Sequence, residues 1–568
     1  MLRSIKPALL KLKIAVAFLA VAPLLAAQNE TNAPVPFPVK IQVDASISTG
    51  EIHPIWRFFG ADEPNYAYMK DGRKLIGELG QMRPTGEVFF RAHNLLNSGD
   101  GAPALKWGST GAYHEDAAGH AVYDWTILDR IFDTYLEKGV RPYVEIGFMP
   151  REFSIHPDPY QHHYTTESNY GAIYTGWSYP PKDYAKWGEL VYQWAKHSID
   201  KYGVAEVERW YWEVWNEFNI AYWHGRPEDF YKLHDYAVAA VRRALPSAKV
   251  GGPDSAGAGQ ALRNFLEHCA HGTNYVTGQA GTPIDFISFH AKGAPAFTNG
   301  HVRLGIANQL NVMNGAFRII AGFPELKSKP VIIGESDPDG CAACLGGAYG
   351  YRNGLQFASY TAASFARESD LADRYGVNLE GALTWAFEFE DQPLFKGFRV
   401  LATGGIDLPV LNVFRMFNRL GSRRLAVESD AATPLDDILR RGVRANPDVA
   451  ALASLDGKKL CVLVWHYHDD DVPGPDADVA LEVNNIPAAA GPVRMRHFRI
   501  DQEHSDAYAV WRQMGSPEKP TPEQYAKLEQ AGKLAPLGAA ETVSVRDGQA
   551  MVRFALPRQA VSLLEFEW

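Results

Sequence analysis

The sequence predicts an α/β protein, a (β/α)8 TIM barrel with a C-terminal β-sandwich domain. Three observations lead there. Short apolar runs alternate with longer amphipathic stretches between about residues 50 and 410; polar residues recur at the ends of those runs; and beyond about residue 415 the pattern turns to strands and turns. Parallel strands buried on both faces read as nearly continuous apolar segments, and the helices between them carry a 3.6-residue period. Eight such pairs describe a barrel.

The 568 residues leave room for a barrel of roughly 250 residues or more and a second domain. The net charge of −10 argues against nucleic acid as a partner, because phosphate binding needs a basic surface. Residues 1–27 read as a signal peptide: Arg3, Lys6, Lys11 and Lys13 precede the apolar "IAVAFLAVAPLLAA", which ends in small residues. The run is short for a membrane span, and Pro23 interrupts it. The expected location is therefore exported, periplasmic or extracellular, without stable membrane insertion after cleavage; an uncleaved anchor is the alternative.

Residues 28–47 contain "VKIQVDAS", a strand expected to join the β-sandwich. The barrel is placed over residues 48–412. Its strand candidates are "WRFFGAD", "VFFRAHN", "RPYVEIGF", "RWYWEVWNE", "AKVGGPD", "IDFISFH", "PVIIGES" and "GALTWAFEF". Residues 413–568 form the expected sandwich, with a hairpin turning at Asp-Gly in "VAALASLDGKKLCVLVWHYH" and further strands in "ADVALEVNNI", "GPVRMRHFRI" and "QAVSLLEFEW".

Active sites of such barrels sit at the C-terminal ends of the strands. The polar residues there are His93, Glu145, Asn216, Glu217, Asp254, His290, Glu335 and Glu388. Each alone could be a satisfied structural group, but they recur at one level on different strands. Glu217 ends the fourth strand and Glu335 the seventh. Two carboxylates facing each other across a barrel mouth suit glycoside hydrolysis: one protonates the departing oxygen and the other attacks the anomeric carbon. Asn216, just before the acid, is placed to hold the sugar 2-hydroxyl; its plainer reading is a helix cap.

The pieces "FRAHNLL", "PYVEIGF", "WNE", "GGPD", "DFISFHAKG" and "GESDP" resemble glycoside hydrolase family 39, which contains β-xylosidases and α-L-iduronidases. The resemblance runs through the whole barrel. It implies a retaining enzyme, with Glu217 as acid/base and Glu335 as nucleophile, and with His93, Asn216 and His290 lining the subsite of the sugar being cleaved. "HAKG" is similar to the iduronidase branch, where its lysine, here Lys292, helps hold a substrate carboxylate. Asp407 in "IDLPV" falls where that branch has an arginine, and an acid there would repel a uronate. A neutral pentose, and so a β-xylosidase-like exo-enzyme, is the leading expectation. α-L-Iduronidase-like or α-L-arabinosidase activity is the alternative.

Xylose has no C5 substituent, so its pocket needs hydrogen bonds and a stacking ring. Trp385 is the candidate platform, and equally reads as a buried barrel tryptophan. The loop "SDPDGCAACLGGAYGYRNG" after Glu335 and the irregular segment 156–181 are expected walls of the site. Cys341 and Cys344 in "CAAC" suit a local disulfide best, with a redox pair or half of a metal site as the alternatives. His162 and His163 lack a spaced acidic partner, so no metal is expected, and two carboxylates require no cofactor. The expected partner is an oligosaccharide or glycoside. A non-catalytic carbohydrate-binding protein is the reading from another class, and turnover separates the two.

Overall fold

The computed structural model describes residues 35–82, 86–487 and 492–568. The leader expected over residues 1–27 lies outside them. Eight parallel strands close into a barrel: β1 (Phe58–Ala61), β2 (Val88–Ala92), β3 (Val140–Ile146), β4 (Tyr211–Val214), β5 (Lys249–Ser255), β6 (Phe286–Lys292), β7 (Val331–Asp337) and β8 (Leu379–Thr384). They correspond to the eight apolar runs, and a helix follows each, from Lys70–Gly80 after β1 to Pro409–Phe417 after β8.

Strand periodicity decides what fills the barrel, because side chains two apart share a face. Phe58, Phe89, Tyr143, Tyr211 and Phe286 meet as rings in the lower interior; Phe58 and Phe89 lie 5.1 Å apart and Tyr143 and Tyr211 5.4 Å. Two residues further along four of these strands the interior turns polar, at Arg91, Glu145, Glu213 and Ser288, all buried. The aromatic floor supports a charged layer.

The second domain is one continuous ten-stranded mixed sheet closed over its own core as a β-sandwich. The strand Phe37–Glu51 pairs antiparallel with Arg423–Ser429 and parallel with Ala477–Asn484, so the sheet draws on both sides of the barrel in sequence. Arg423–Ser429 and Ala550–Leu556 had no strand reading in the sequence, because their outward positions are charged or half-exposed and break up the apolar run. Two helices, Ala507–Gln513 and Pro522–Ala531, are inserted after the strand Val493–Ile500.

The strand Lys459–Tyr467 joins the domains, and its unbroken apolar run has a two-sided cause. Leu460, Val462 and Val464 face the sandwich core, while Cys461, Leu463, Trp465 and Tyr467 join the barrel core. The helix Leu355–Tyr375 meets this second face: Arg367 Nη2 reaches Asp448 (3.1 Å), Ser359 donates to Gln559 (2.6 Å), and the Tyr360 ring lies 5.8 Å from Tyr467. Leu463→Ala is expected to cost about 2–5 kcal/mol, since a fully buried leucine leaves a cavity between two rigid layers. Thermal unfolding of the variant, followed by circular dichroism, checks this; an unchanged midpoint would show that the domains do not depend on this contact.

Candidate active site

The aromatic run ending β4 exists to hold an unusual backbone. Trp215 and Glu217 both have positive φ, 69° and 44°, a region that costs a non-glycine residue energy and persists only where packing enforces it. Trp215 is fully buried between Phe148 and Trp223, with ring centroids at 5.0 and 5.1 Å, and its indole N–H donates to the Tyr222 carbonyl at 3.0 Å. Phe218 stacks on Phe230 at 4.1 Å. Between these anchors the Glu217 N–H donates to the Asp254 carbonyl at 2.9 Å, turning the carboxylate into the barrel mouth.

Glu335 reaches the same point by a different device. The pairing of β7 with β6 shifts register between Ile333 and Glu335, a bulge that re-aims the side chain. Gly334 sits in the bulge because a Cβ there would come within 1.8 Å of the Asp254 carboxylate. Likewise a Cβ on Gly60 would lie 2.5 Å from the Trp385 ring, so this glycine gives the tryptophan its seat.

Lys292 and His290, both on β6, bring the two carboxylates together. The Lys292 ammonium lies 3.1 Å from Glu217 Oε1 and 2.6 Å from Glu335 Oε2. His290 Nδ1 is 2.7 Å from Glu217 Oε1 and 3.7 Å from Glu335 Oε1, and its Nε2 is 2.7 Å from Asp254 Oδ2. Burial alone would discharge the imidazole, but the Asp254 and Glu335 carboxylates outweigh it and raise its pKa to about 10. Burial would raise Glu217, yet the Lys292 and His290 charges hold its carboxyl well below the usual range.

Beneath this pair lies Arg91. Its Nη2 contacts Asp254 Oδ2 (2.5 Å), Glu145 Oε2 (2.8 Å) and Asn216 Oδ1 (3.1 Å), and its Nε contacts Glu213 Oε2 (2.6 Å). One cation faces three carboxyls, so not all of them ionise alike. Burial pushes Glu145 well up despite Arg91, and burial with Asp254 beside it raises Glu213 to about 7. Asp254 stays below its ordinary value because Arg91 and His290 more than offset its burial. Asn216 is fully buried, and its Nδ2 has no hydrogen-bond partner among the described residues.

The pocket above is lined by Glu217, Glu335, Lys292 and Trp385, with Asp62, Lys106, Arg399 and the tyrosines 170, 174 and 222. His93, Asn216 and His290 do not line it: all three are buried, and His290 reaches the site through its contacts to Glu217 and Glu335. His93 Nδ1 bonds Glu145 at 2.6 Å, and its ring lies 4.2 Å from that of Trp385. Both expected walls are present: Tyr170 and Tyr174 come from segment 156–181, and Gly340 and Ala342 from the loop after Glu335. Cys341 and Cys344 are disulfide-bonded, and Arg352 ties that loop down through the carbonyls of both cysteines and Asp339.

Two sequence readings fail. Asp407 does not line the pocket: it is buried against Arg415 (2.8 Å) and Lys533 (2.9 Å), so the repulsion expected of it has no basis there. Glu388 lies off the pocket, accepting from the Gly404 N–H at 2.8 Å. Arg91 and Glu213 were legible as charges inside apolar strands, two and four residues before His93 and Glu217. Lys106 and Arg399 carried no local signal, since long loops deliver them. Among the described residues no group of three or more His, Cys, Asp or Glu side chains is placed to hold a metal ion.

The model of a family described as Glycosyl hydrolases family 39 matches residues 39–546. The chain is 26% identical over 540 residues to a β-xylosidase of Geobacillus stearothermophilus, covering 90% of this chain and 92% of that protein. It is 25% identical over 555 residues to the α-L-iduronidase of Mus musculus, covering 90% and 77%. The crystal structure of a monomeric β-xylosidase from Caulobacter crescentus CB15 superposes with a TM-score of 0.72 at 21% identity, over 93% of this chain and 99% of that one.

Two stability effects follow from the charged layer. Arg91→Met strips the buried carboxyls of their cation and is expected to destabilise the fold by about 3–5 kcal/mol, read from denaturant unfolding. His290 has a folded-state pKa near 10 against about 6.5 unfolded. Its contribution is therefore full below about pH 6.5 and is lost as pH rises through about 10. Unfolding free energies measured from pH 6 to 10.5 should fall more steeply in the wild type than in His290→Gln; equal slopes would contradict the charged imidazole.

Proposed function

The chain belongs to glycosyl hydrolases family 39 and is a glycoside hydrolase; from that premise we propose that it works by retaining double displacement on the terminal sugar of a glycan. The observation that carries this is the single ammonium touching both carboxylates. Contacts of 3.1 and 2.6 Å to one nitrogen leave the nearest oxygens of Glu217 and Glu335 less than about 6 Å apart. Retaining pairs lie about 5–5.5 Å apart, whereas inverting pairs keep roughly 6.5–9.5 Å open for a water.

In the first step Glu335 attacks the anomeric carbon while Glu217 gives its proton to the glycosidic oxygen, and the alcohol leaves. In the second, Glu217 takes a proton from water as that water displaces Glu335 from the glycosyl ester. The Lys292 and His290 charges hold Glu217 ionised, so the acid step requires a proton to reach it once substrate is bound. Displacing the Lys292 ammonium from Glu217 would remove the largest of the charges that lower this carboxyl, leaving His290 beside it. Asn216 Nδ2 is the donor available to the 2-hydroxyl. Loops around the mouth favour an exo-acting pocket.

A neutral pentopyranoside is the leading substrate. Each cation on the pocket wall is already matched by an acid: Lys106 by Asp62, Lys292 by the catalytic pair, and Arg399 by Asp339 (3.0 Å). A uronide is the second reading, favoured by the presence of both Lys292 and Arg399 on the wall once Asp407 is set aside. We also read the chain as exported, on the basic and apolar leader and the Cys341–Cys344 disulfide.

Initial rates on nitrophenyl β-D-xyloside, α-L-arabinosides, β-D-glucoside and α-L-iduronide test the substrate. Glu335→Ala should lower turnover by at least about four orders of magnitude. Glu217→Ala should lose about 10²–10⁴-fold on poor leaving groups and far less on dinitrophenolate, which needs no proton. Equal losses on both leaving groups would remove Glu217 from the acid role, and preference for the iduronide would establish the second reading.

A further inference from the structure

Asp62 and Lys106 form an ion pair that neither step of the reaction uses. Both are almost fully buried, at 4% and 5% exposure, and both line the catalytic pocket. Lys106 lies in the long loop after β2 and has φ of 60°, a conformation that costs a side chain with a Cβ. It is held there from every direction. Its N–H donates to Glu63 Oε1 (2.5 Å), its carbonyl accepts from His162 Nε2 (2.9 Å), and its ammonium bonds Asp62 Oδ2. Three residues on, Ser109 exchanges two bonds with the Asn65 amide, at 3.0 and 2.9 Å. Two loops are thus laced together around one buried lysine.

The position of this pair on the rim gives it a task. Around the barrel the strands run β7, β8, β1, β2, β3, β4. Glu335 lies on β7 and Glu217 follows β4, Trp385 follows β8, and Asp62 and Lys106 follow β1 and β2, midway along that arc. A sugar with its anomeric carbon between the carboxylates and its face on Trp385 directs the far edge of its ring to them. Lys106 spends one ammonium donor on Asp62 and turns toward the Tyr170 ring at 5.5 Å, while Asp62 Oδ1 lies 3.6 Å from His93 Nε2. A carboxylate and an ammonium side by side suit two neighbouring hydroxyls, one donating and one accepting.

We propose that Asp62 and Lys106 are the specificity pair of this pocket, binding the C3 and C4 hydroxyls of the terminal sugar and so confining the enzyme to ends where that diol is free. The inference rests on the glycosidase reading but not on the choice at C5. β-D-Xylosides and α-L-iduronides share one configuration from C2 to C4, and the pair addresses only that part of the ring.

The test uses the full-length wild type, Lys106→Met and Asp62→Asn, on nitrophenyl β-D-xyloside and α-L-iduronide and their 4-deoxy analogues. Rates are expressed per site trapped by the corresponding 2-deoxy-2-fluoro glycoside, so misfolded protein is not counted. For whichever parent is turned over, the wild type should reject the 4-deoxy analogue by about 100-fold or more in kcat/KM. Each variant should lose about 100-fold on the parent and no more than about threefold on the analogue, so discrimination collapses. Should Lys106→Met yield no folded protein, Asp62→Asn and the wild-type ratio still decide. Turnover of the 4-deoxy analogue by the wild type within about threefold of the parent overturns the pair's role while leaving the glycosidase standing. Equal losses on both substrates overturn it also, as they would mark a purely structural pair. Turnover of neither parent overturns this substrate reading and the inference together.

Discussion

The barrel interior depends on one guanidinium. Arg91 lies fully buried under Glu217 and Glu335, touching Asp254, Glu145, Glu213 and Asn216. Removing such a group from water is expensive, and the acids packed on its Nε and Nη2 make its burial tolerable, although its Nη1 has no hydrogen-bond partner among the described residues. That requirement fixes acids on three further strands, β3, β4 and β5, and through Asp254 it reaches His290 and the two carboxylates above. The active site is the upper surface of a charge arrangement whose lower part has to be solved for the barrel to fold.

This arrangement accounts for features that look unrelated along the chain. Gly334 is glycine because Asp254 occupies the space its side chain would fill. Glu217 is held at positive φ by aromatic packing, while its own N–H bonds the Asp254 backbone. Asp254 therefore touches Glu217 through its carbonyl, the His290 imidazole through its carboxylate, and the strand of Glu335 through simple volume. Strain at Glu217 and the bulge before Glu335 persist because each is over-determined by contacts that also hold the charges in place.

The sandwich supports the barrel from outside, and its inserted helices also reach the loop after β8, where Phe395 packs on Trp511 and the Tyr525 hydroxyl donates to the Gly404 carbonyl at 2.8 Å. One strand, Lys459–Tyr467, presents alternate residues to two cores, and the helix after β7 packs on its barrel-facing side. The pocket wall depends in turn on loops rather than strands. Arg352 and the Cys341–Cys344 bridge fix one side, and the laced loops around Lys106 fix the other.

The sequence by itself determined the barrel, its eight strands and the two facing carboxylates. Those signals are local: strand periodicity, strand-end polar residues and glycine placement are read within ten residues of one another. Arg91 and Glu213 were not singled out in the sequence, although each is a charge where an apolar strand has no use for one. Only the tertiary structure decided which charges meet. It put Lys292 between two glutamates 118 positions apart in sequence, brought Lys106 to Asp62 across a long loop, and turned Asp407 away to Arg415 and Lys533. Coulomb energy depends on distance in space and on burial, and a loop's path sets both without leaving a pattern in the residues that form it.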